Sequence, residues 1–310
     1  MGRFDILEKL KNLSGLSELI YSMVAIIFAL FVGAILIYLS GHDALNAYYH
    51  LFFGAFGNTY NLAQTLLKSI PLIFTGLAVA IGFQSGLFNI GAEGQLYWGA
   101  FITAIIAISL PRLAGFLLVP IALLGGSFAG GIWAAIPGYL KARTGAHEVI
   151  TTIMLNYIAI LGTTFLIKNY FKTEGPVDQT KMIPGQARLP QLVPNTRLTW
   201  ALIIGILVIL LIKFLLSNTS LGFDIKAVGA NYTAAEYAGI PARNMMILTM
   251  IISGSVAGLA GSTMVLGVLN RFITNFSPGY GFTGIAVAVL GRNKPFGVLG
   301  AALLFGALEA

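Results

Sequence analysis

Eight apolar runs, most of them about as long as a bilayer is thick, leave this chain few ways to fold. They cover roughly residues 20–39, 62–83, 90–110, 113–138, 149–168, 198–216, 245–269 and 282–308. A helix needs about 20 apolar residues to cross a ~30 Å hydrocarbon core. In lipid each backbone N–H and C=O must be satisfied within the protein, which a helix does locally. No connection is long enough for a soluble domain: the longest, 169–197 and 217–244, are each under 30 residues. The sequence therefore predicts an all-α polytopic membrane protein, one transmembrane domain over 1–310, bundled from about eight segments.

Composition supports lipid as the solvent. Only 9% of residues are charged, against about 25% in soluble domains. The net charge of +7 could indicate nucleic acid, but the 18 Lys and Arg are scattered through loops. Such a pattern serves topology and lipid headgroups, so the bilayer is the expected partner and nucleic acid is not. There is no cysteine, which excludes disulfides and thiolate metal sites. The first apolar run exceeds a signal-peptide core and is followed by "SGHDA" rather than a small-residue cleavage site, so it reads as a retained helix.

Enzymatic motifs fail one by one. No Gly-Lys pair exists, so there is no P-loop. "HEVIT" at 147–151 has Thr151 where a zinc protease needs its second His. "GYGFTG" at 279–284 has glycine-fingerprint spacing but follows no strand. No catalytic residue, cofactor or metal is expected.

Glycine pairs Gly82/Gly86, Gly126/Gly130 and Gly254/Gly258, each four apart in apolar runs, predict close helix approach. The last run is interrupted at Gly291–Pro295. The piece before the break is ~14 Å of helix, too short to span. It is either a re-entrant pair or one broken helix, and non-helical backbone at that depth implies a pathway through protein. With the N-terminus inside, 1–19, 84–89, 139–148 and 213–244 face the cytoplasm, and 40–61, 111–112, 168–197 and 270–281 face outside. These carry eight and seven cations. The empty 40–61 loop opposite the charged N-terminus favours the N-in arrangement.

The stretch "SLGFDIKAVGANYTAAEYAGIPARN" at 220–244 is polar between two greasy runs. Thr233 and Glu236 have capping-box spacing, while Gly239 and Pro241 supply a stop, predicting a helix over about 234–238. So short a helix is unstable alone and needs something to dock against: its own bundle, or a partner's groove. A coupling role would use Asn231, Thr233, Ala234, Ala235, Glu236, Tyr237 and Gly239, with ATP hydrolysis supplied by a partner.

That stretch resembles the coupling loop of ABC importer permeases of the class that includes ribose and branched-chain amino acid permeases. "GLFNIGAEGQLYWGAF" at 86–101, "HEVITTIMLNYIA" at 147–159, "GPVDQTKMIPGQARLPQL" at 175–192 and "GYGFTGIAVAVLGRNKPFGVLGAALLFG" at 279–306 narrow the likeness to the larger permease subunit of bacterial nucleoside importers. The resemblance covers about 62–308. It implies a multi-pass protein of the bacterial plasma membrane, a second homologous permease, cytosolic ATP-binding subunits and an extracytoplasmic substrate-binding protein. It also implies an external loop at 169–197 and a cytoplasmic coupling loop at 217–244. Members of that family run longer, with up to ten segments.

An uncharged nucleoside needs hydrogen bonds and an aromatic face. The candidates for the substrate path are Phe88, Asn89, Glu93, Gln95, Thr152, Asn156 and Phe282, with Tyr97 and Trp98 as further aromatics. Each also has a plainer reading. Glu93 suits the first turn of its helix. Thr152 and Asn156, four apart on one face, suit packing glue. Aromatics in bilayers commonly pack or sit at interfaces. Lys68 is expected to snorkel to the outer interface. A sugar or branched-chain amino acid permease, an ion-coupled transporter and a membrane scaffold are the competing functions. Ion coupling would need deep acidic groups, and Glu93 is the one candidate.

Overall fold

The computed structural model describes residues 24–310, and the regular structure there is helical apart from two isolated β-bridges. The expected cytoplasmic segment 1–19 lies outside the described residues. The chain divides into two compact units, Met1–Gly57 and Asn58–Ala310.

In the first unit, α1 (Val24–Leu39) and α2 (Ala44–Phe56) are joined by a tight turn. The Asp43 carboxylate accepts from the Leu45 amide at 2.9 Å and starts α2. The Tyr48 hydroxyl donates to the Leu30 carbonyl and ties the two helices together. The 40–61 stretch is therefore not a plain loop. An aspartate N-cap followed by "ALNAYYHLFFGAF" makes a helix that periodicity over a short, aromatic-rich run did not reveal.

The second unit contains α3 (Thr59–Gln84), α4 (Ala92–Ser109), α5 (Gly115–Thr144), α6 (Glu148–Leu166), α7 (Ala201–Asn218), α8 (Ser220–Ala230), α9 (Tyr232–Tyr237), α10 (Ala242–Met264), α11 (Tyr280–Leu290) and α12 (Pro295–Glu309). One π-turn extends α6 to Phe171 and another extends α10 to Leu269. Five helices, α3, α5, α6, α7 and α10, are long and apolar enough to cross a membrane. The protein is a multi-pass, all-helical membrane protein. The last apolar run, expected to be broken or re-entrant, splits into the two short helices α11 and α12.

α3 is the spar of this unit. Most of its length is buried, and α7, α10, α11 and α12 pack around it. α5 and α10 cross where their glycine pairs meet. A Cβ on Gly130 would strike the Gly254 carbonyl, and one on Gly258 would strike the Gly126 carbonyl. Backbones this close exclude any side chain, as the spacing predicts. Gly86 differs: its φ of +73° puts it in the turn after α3 and not on a packing face.

The helix ends sort into two groups. At one end, Gln84 Nε2 donates to the Asn293 carbonyl at 3.0 Å, Lys141 pairs with Glu148 at 2.8 Å, and α8 abuts the end of α3 at Gly229. At the other end, residues 169–197 form a cap. Leu189 N donates to the Leu266 carbonyl, Ile183 N to the Asn270 carbonyl and Thr180 N to the Phe272 carbonyl. Asp178 pairs with Lys172 at 2.7 Å and Lys168 at 3.4 Å. The hydrogen bond from Lys172, aided by Lys168, holds that carboxyl below the usual aspartate range.

The C-terminal run is a helical hairpin. Along α3, Gly76 touches both Val287 of α11 and Val298 of α12, while the tip at Asn293 meets Gln84 and Gly306 returns to Ser69. Arg292 and Asn293, both with φ of +55°, make the turn, and Pro295 opens α12.

The 217–244 stretch is mostly helical. α9 runs from Tyr232 to Tyr237, and its cap is Asn231, whose side-chain oxygen accepts from Ala234 N at 2.9 Å. This corrects the capping box expected from Thr233 and Glu236. Asn231 is the single extended residue between α8 and α9, so the helix starts there and Thr233 falls within it. Glu236 accepts instead from the Tyr232 hydroxyl at 2.9 Å. Gly239, at φ +85°, ends α9 as expected.

Candidate functional site

Two non-helical segments enter the second unit from opposite ends and meet inside it. The first follows α3. Residues 85–91 turn back and carry Asn89 to Ser253, the twelfth residue of α10, about 17 Å along that helix. The second follows α10. Residues 270–279 run inward past the cap and start α11 beside α4, with Phe272 and Phe276 packed on Tyr97. Helical amides at the start of α4 and α11 thus come together at depth, where unpaired N–H groups would be costly.

Several of these groups have side-chain partners. Glu93, in the first turn of α4, accepts from Gly281 N in the first turn of α11 at 2.6 Å. The Ser277 side chain lies beside this carboxylate. Ser277 Oγ in turn accepts from Tyr280 N at 3.1 Å and Gly279 N at 3.2 Å. One carboxylate therefore faces the positive ends of two helices, its own and α11's. Gly281 has no room for a side chain, since a Cβ there would meet the Glu93 backbone.

Asn89 and Gln95 form a reciprocal amide pair at 2.9 Å in both directions. Asn89 Nδ2 also donates to Ser253 Oγ at 2.7 Å, and its Oδ1 accepts from Gly91 N at 3.0 Å. Asn156 reaches across from α6: its Oδ1 accepts from Gly94 N at 2.8 Å, and its Nδ2 donates to the Ile90 carbonyl at 2.9 Å. Thr152 stays within α6, donating to the Glu148 carbonyl at 2.7 Å.

The sequence-predicted path residues thus separate into two kinds. Asn89, Glu93, Gln95, Thr152 and Asn156 are all buried; Asn89, Gln95 and Asn156 hold the inner re-entrant segment in place, Glu93 ties α4 to α11, and Thr152 bonds within α6. Phe88 and Phe282 instead stand 51% and 45% exposed, one on each re-entrant element. Phe83 packs on the Phe88 ring in a T-shaped arrangement, with centroids 4.9 Å apart. Tyr97 is buried against Phe272 and Phe276, and Trp98 packs on Trp133, so both serve packing. Sequence reasoning missed Ser253 and Ser277. A serine within an apolar helix was the available signal for the first, though Ser255 and Ser262 on the same helix gave the same signal. For the second, a serine two and three residues before the α11 amides was available as a cap signal.

The α9 helix is fixed by one face and open on the other. Ala235 packs with Leu87, Val228, Ala242, Met246 and Met250, so α9 rests on the re-entrant segment, α8 and α10. Asn231, Thr233, Ala234, Glu236 and Gly239 are exposed, and Tyr237 is 90% exposed.

A multi-pass helical protein with two re-entrant segments meeting at mid-depth belongs to the class of membrane transport proteins, where irregular backbone at depth lines a pathway. Comparison of sequences gives the family: residues 61–310 match the branched-chain amino acid transport system / permease component, and the chain belongs to that family of permease components. It is 38% identical over 302 residues to the nucleoside ABC transporter permease protein NupB of Lactococcus lactis, covering 94% of this chain and 83% of that protein. It is 39% identical over 302 residues to the guanosine ABC transporter permease protein NupP of Bacillus subtilis, covering 95% and 85%. The glucose ABC transporter permease protein TsgB13 of Haloferax volcanii is 32% identical over 299 residues, covering 92% and 78%. No solved structure matches.

Proposed function

We propose that this chain is the membrane-spanning permease of an ATP-driven importer that carries nucleosides across a bacterial plasma membrane. The observation that carries this reading is the 38–39% identity, along nearly the whole chain, to permeases named for nucleoside and guanosine transport. Phe88 and Phe282 suit it physically, because an uncharged base needs an aromatic face and no counter-ion. The buried amide and carboxylate network would hold those two rings on rigid backbone. Glu93, engaged by two helix starts, is poorly placed to load and release a coupling ion, which argues against ion-driven transport.

In this reading cytosolic ATP-binding subunits grip the exposed face of α9, a second homologous permease completes the path, and a binding protein delivers substrate to the end capped by 169–197. The end carrying α9 would then face the cytoplasm, with the N-terminus on the same side. Loop charge does not decide the orientation. Among the loops of the described residues, Arg292 and Lys294 at the hairpin tip bring the α9 end to seven cations, and the opposite end also has seven. The exposed α9 face, open to a cytosolic partner, supports this orientation instead.

The test is uptake of radiolabelled nucleosides by the assembled importer in proteoliposomes, with ATP inside and binding protein outside. ATP-dependent accumulation is expected. Accumulation of glucose without any nucleoside would favour the second reading, a sugar permease, which the 32% identity to a glucose permease supports. Transport at full rate without nucleotide would remove the ATP-driven reading.

A further inference from the structure

α3 carries a lysine in its interior, ten residues from its start, where a charge in an apolar span usually marks a functional group. Lys68 is half-buried. It lines a cavity of about 370 Å³ between α3, α10, the start of α11 and the cap. Arg197, Gln64, Tyr60 and Tyr280 share that lining, and Leu67, Met264 and Val268 give it apolar walls. Among the described residues, ion pairs involve Lys141, Lys168 and Lys172, and neither Lys68 nor Arg197. Glu309 is near enough to Tyr280 for its charge to be felt there, but it is not part of the lining. Tyr280 precedes Gly281, whose amide binds Glu93, so this cavity adjoins the mid-depth junction.

The chemistry of the lining selects its ligand. Lys and Arg are donors only, while Tyr and Gln can donate or accept. A ligand entering between two cations must present acceptors on the facing edge. Tyrosine rings and the apolar wall suit a planar heterocycle. Among uncharged nucleosides, a 6-oxopurine offers paired acceptors, O6 and N7, to cationic side chains. Adenine places an amino donor where O6 would be, and a donor pointed at an ammonium is penalised.

We infer that this cavity is a reception subsite that reads the 6-oxopurine edge of guanosine and inosine through Lys68 and Arg197. The inference rests on the nucleoside reading above and adds the base class and the residues that read it.

The test compares wild type, Lys68→Met, Lys68→Arg and Arg197→Gln in the same reconstituted importer with one unchanged binding protein. Uptake of guanosine, inosine, adenosine and cytidine is measured in each, normalised to the amount of assembled complex. Because the binding protein is common to all arms, a change in rank order reports on the permease. Wild type should favour guanosine and inosine over adenosine. Lys68→Met should shrink that preference about tenfold, with adenosine uptake retained and Lys68→Arg restoring the preference. Arg197→Gln, a change at an exposed loop position, should shrink it in the same direction. An unchanged rank order in Lys68→Met and Arg197→Gln, or a uniform loss for all four nucleosides, overturns the subsite. So does a wild-type preference for adenosine. Failure of wild type to take up any nucleoside overturns instead the parent reading.

Discussion

Asn156 shows how single residues hold the re-entrant segment. Its two amide ends satisfy one donor and one acceptor of a backbone stretch that has no helix to satisfy them. Truncation to alanine leaves the buried Gly94 amide unpaired, at a cost of about 1–3 kcal/mol. Asn156→Ala should therefore lower the thermal stability of the detergent-solubilised protein clearly. Thr152→Val, which removes only a bond within α6, should change it by well under half as much. Equal effects would mean the cross-link to Gly94 contributes nothing. At this scale the sequence was partly legible. Asn89, Glu93, Gln95, Thr152 and Asn156 stood out because polar groups at depth are costly. Which of them would face substrate and which would face backbone was not written in their identity.

At the scale of elements, α9 is six residues that hold their shape because they are docked. A helix this short is marginal in water, and here Ala235 is buried in one apolar cluster with Val228 of α8, Met246 of α10 and Leu87 of the re-entrant segment. Leu87 adjoins Phe88 and Asn89, so force applied to α9 reaches the junction over a short chain of contacts. Glu236→Pro should disrupt the helix while leaving the spans intact. The expected result is loss of uptake with the subunit still present in the membrane and bound to its partners. Normal uptake by that variant would remove α9 from the drive train. The sequence announced this helix through its stop at Gly239. It misplaced the start, because Asn231 caps more directly than Thr233 once α8 ends beside it.

For the whole molecule, the proposed sidedness is open to a clean test, since the chain has no cysteine of its own. Single cysteines at exposed Lys226 on α8 and exposed Arg188 in the cap sit at opposite ends of the second unit. An impermeant maleimide should label Arg188→Cys in intact cells, and Lys226→Cys only after permeabilisation. The reverse pattern would invert the molecule. By itself the sequence determined the solvent, the helical class, the rough bounds of the spans, the glycine positions where helices could approach closely, and the break in the last run. All of these follow from local spacing, because backbone satisfaction in lipid is a local demand. Only the tertiary structure decided that the break is a hairpin folded along α3, and that 85–91 turns inward. It also decided that Glu93 closes the start of a helix 188 residues away. Helix starts buried at depth must find partners wherever the fold brings them, and no periodicity records a bond between groups so far apart in the chain.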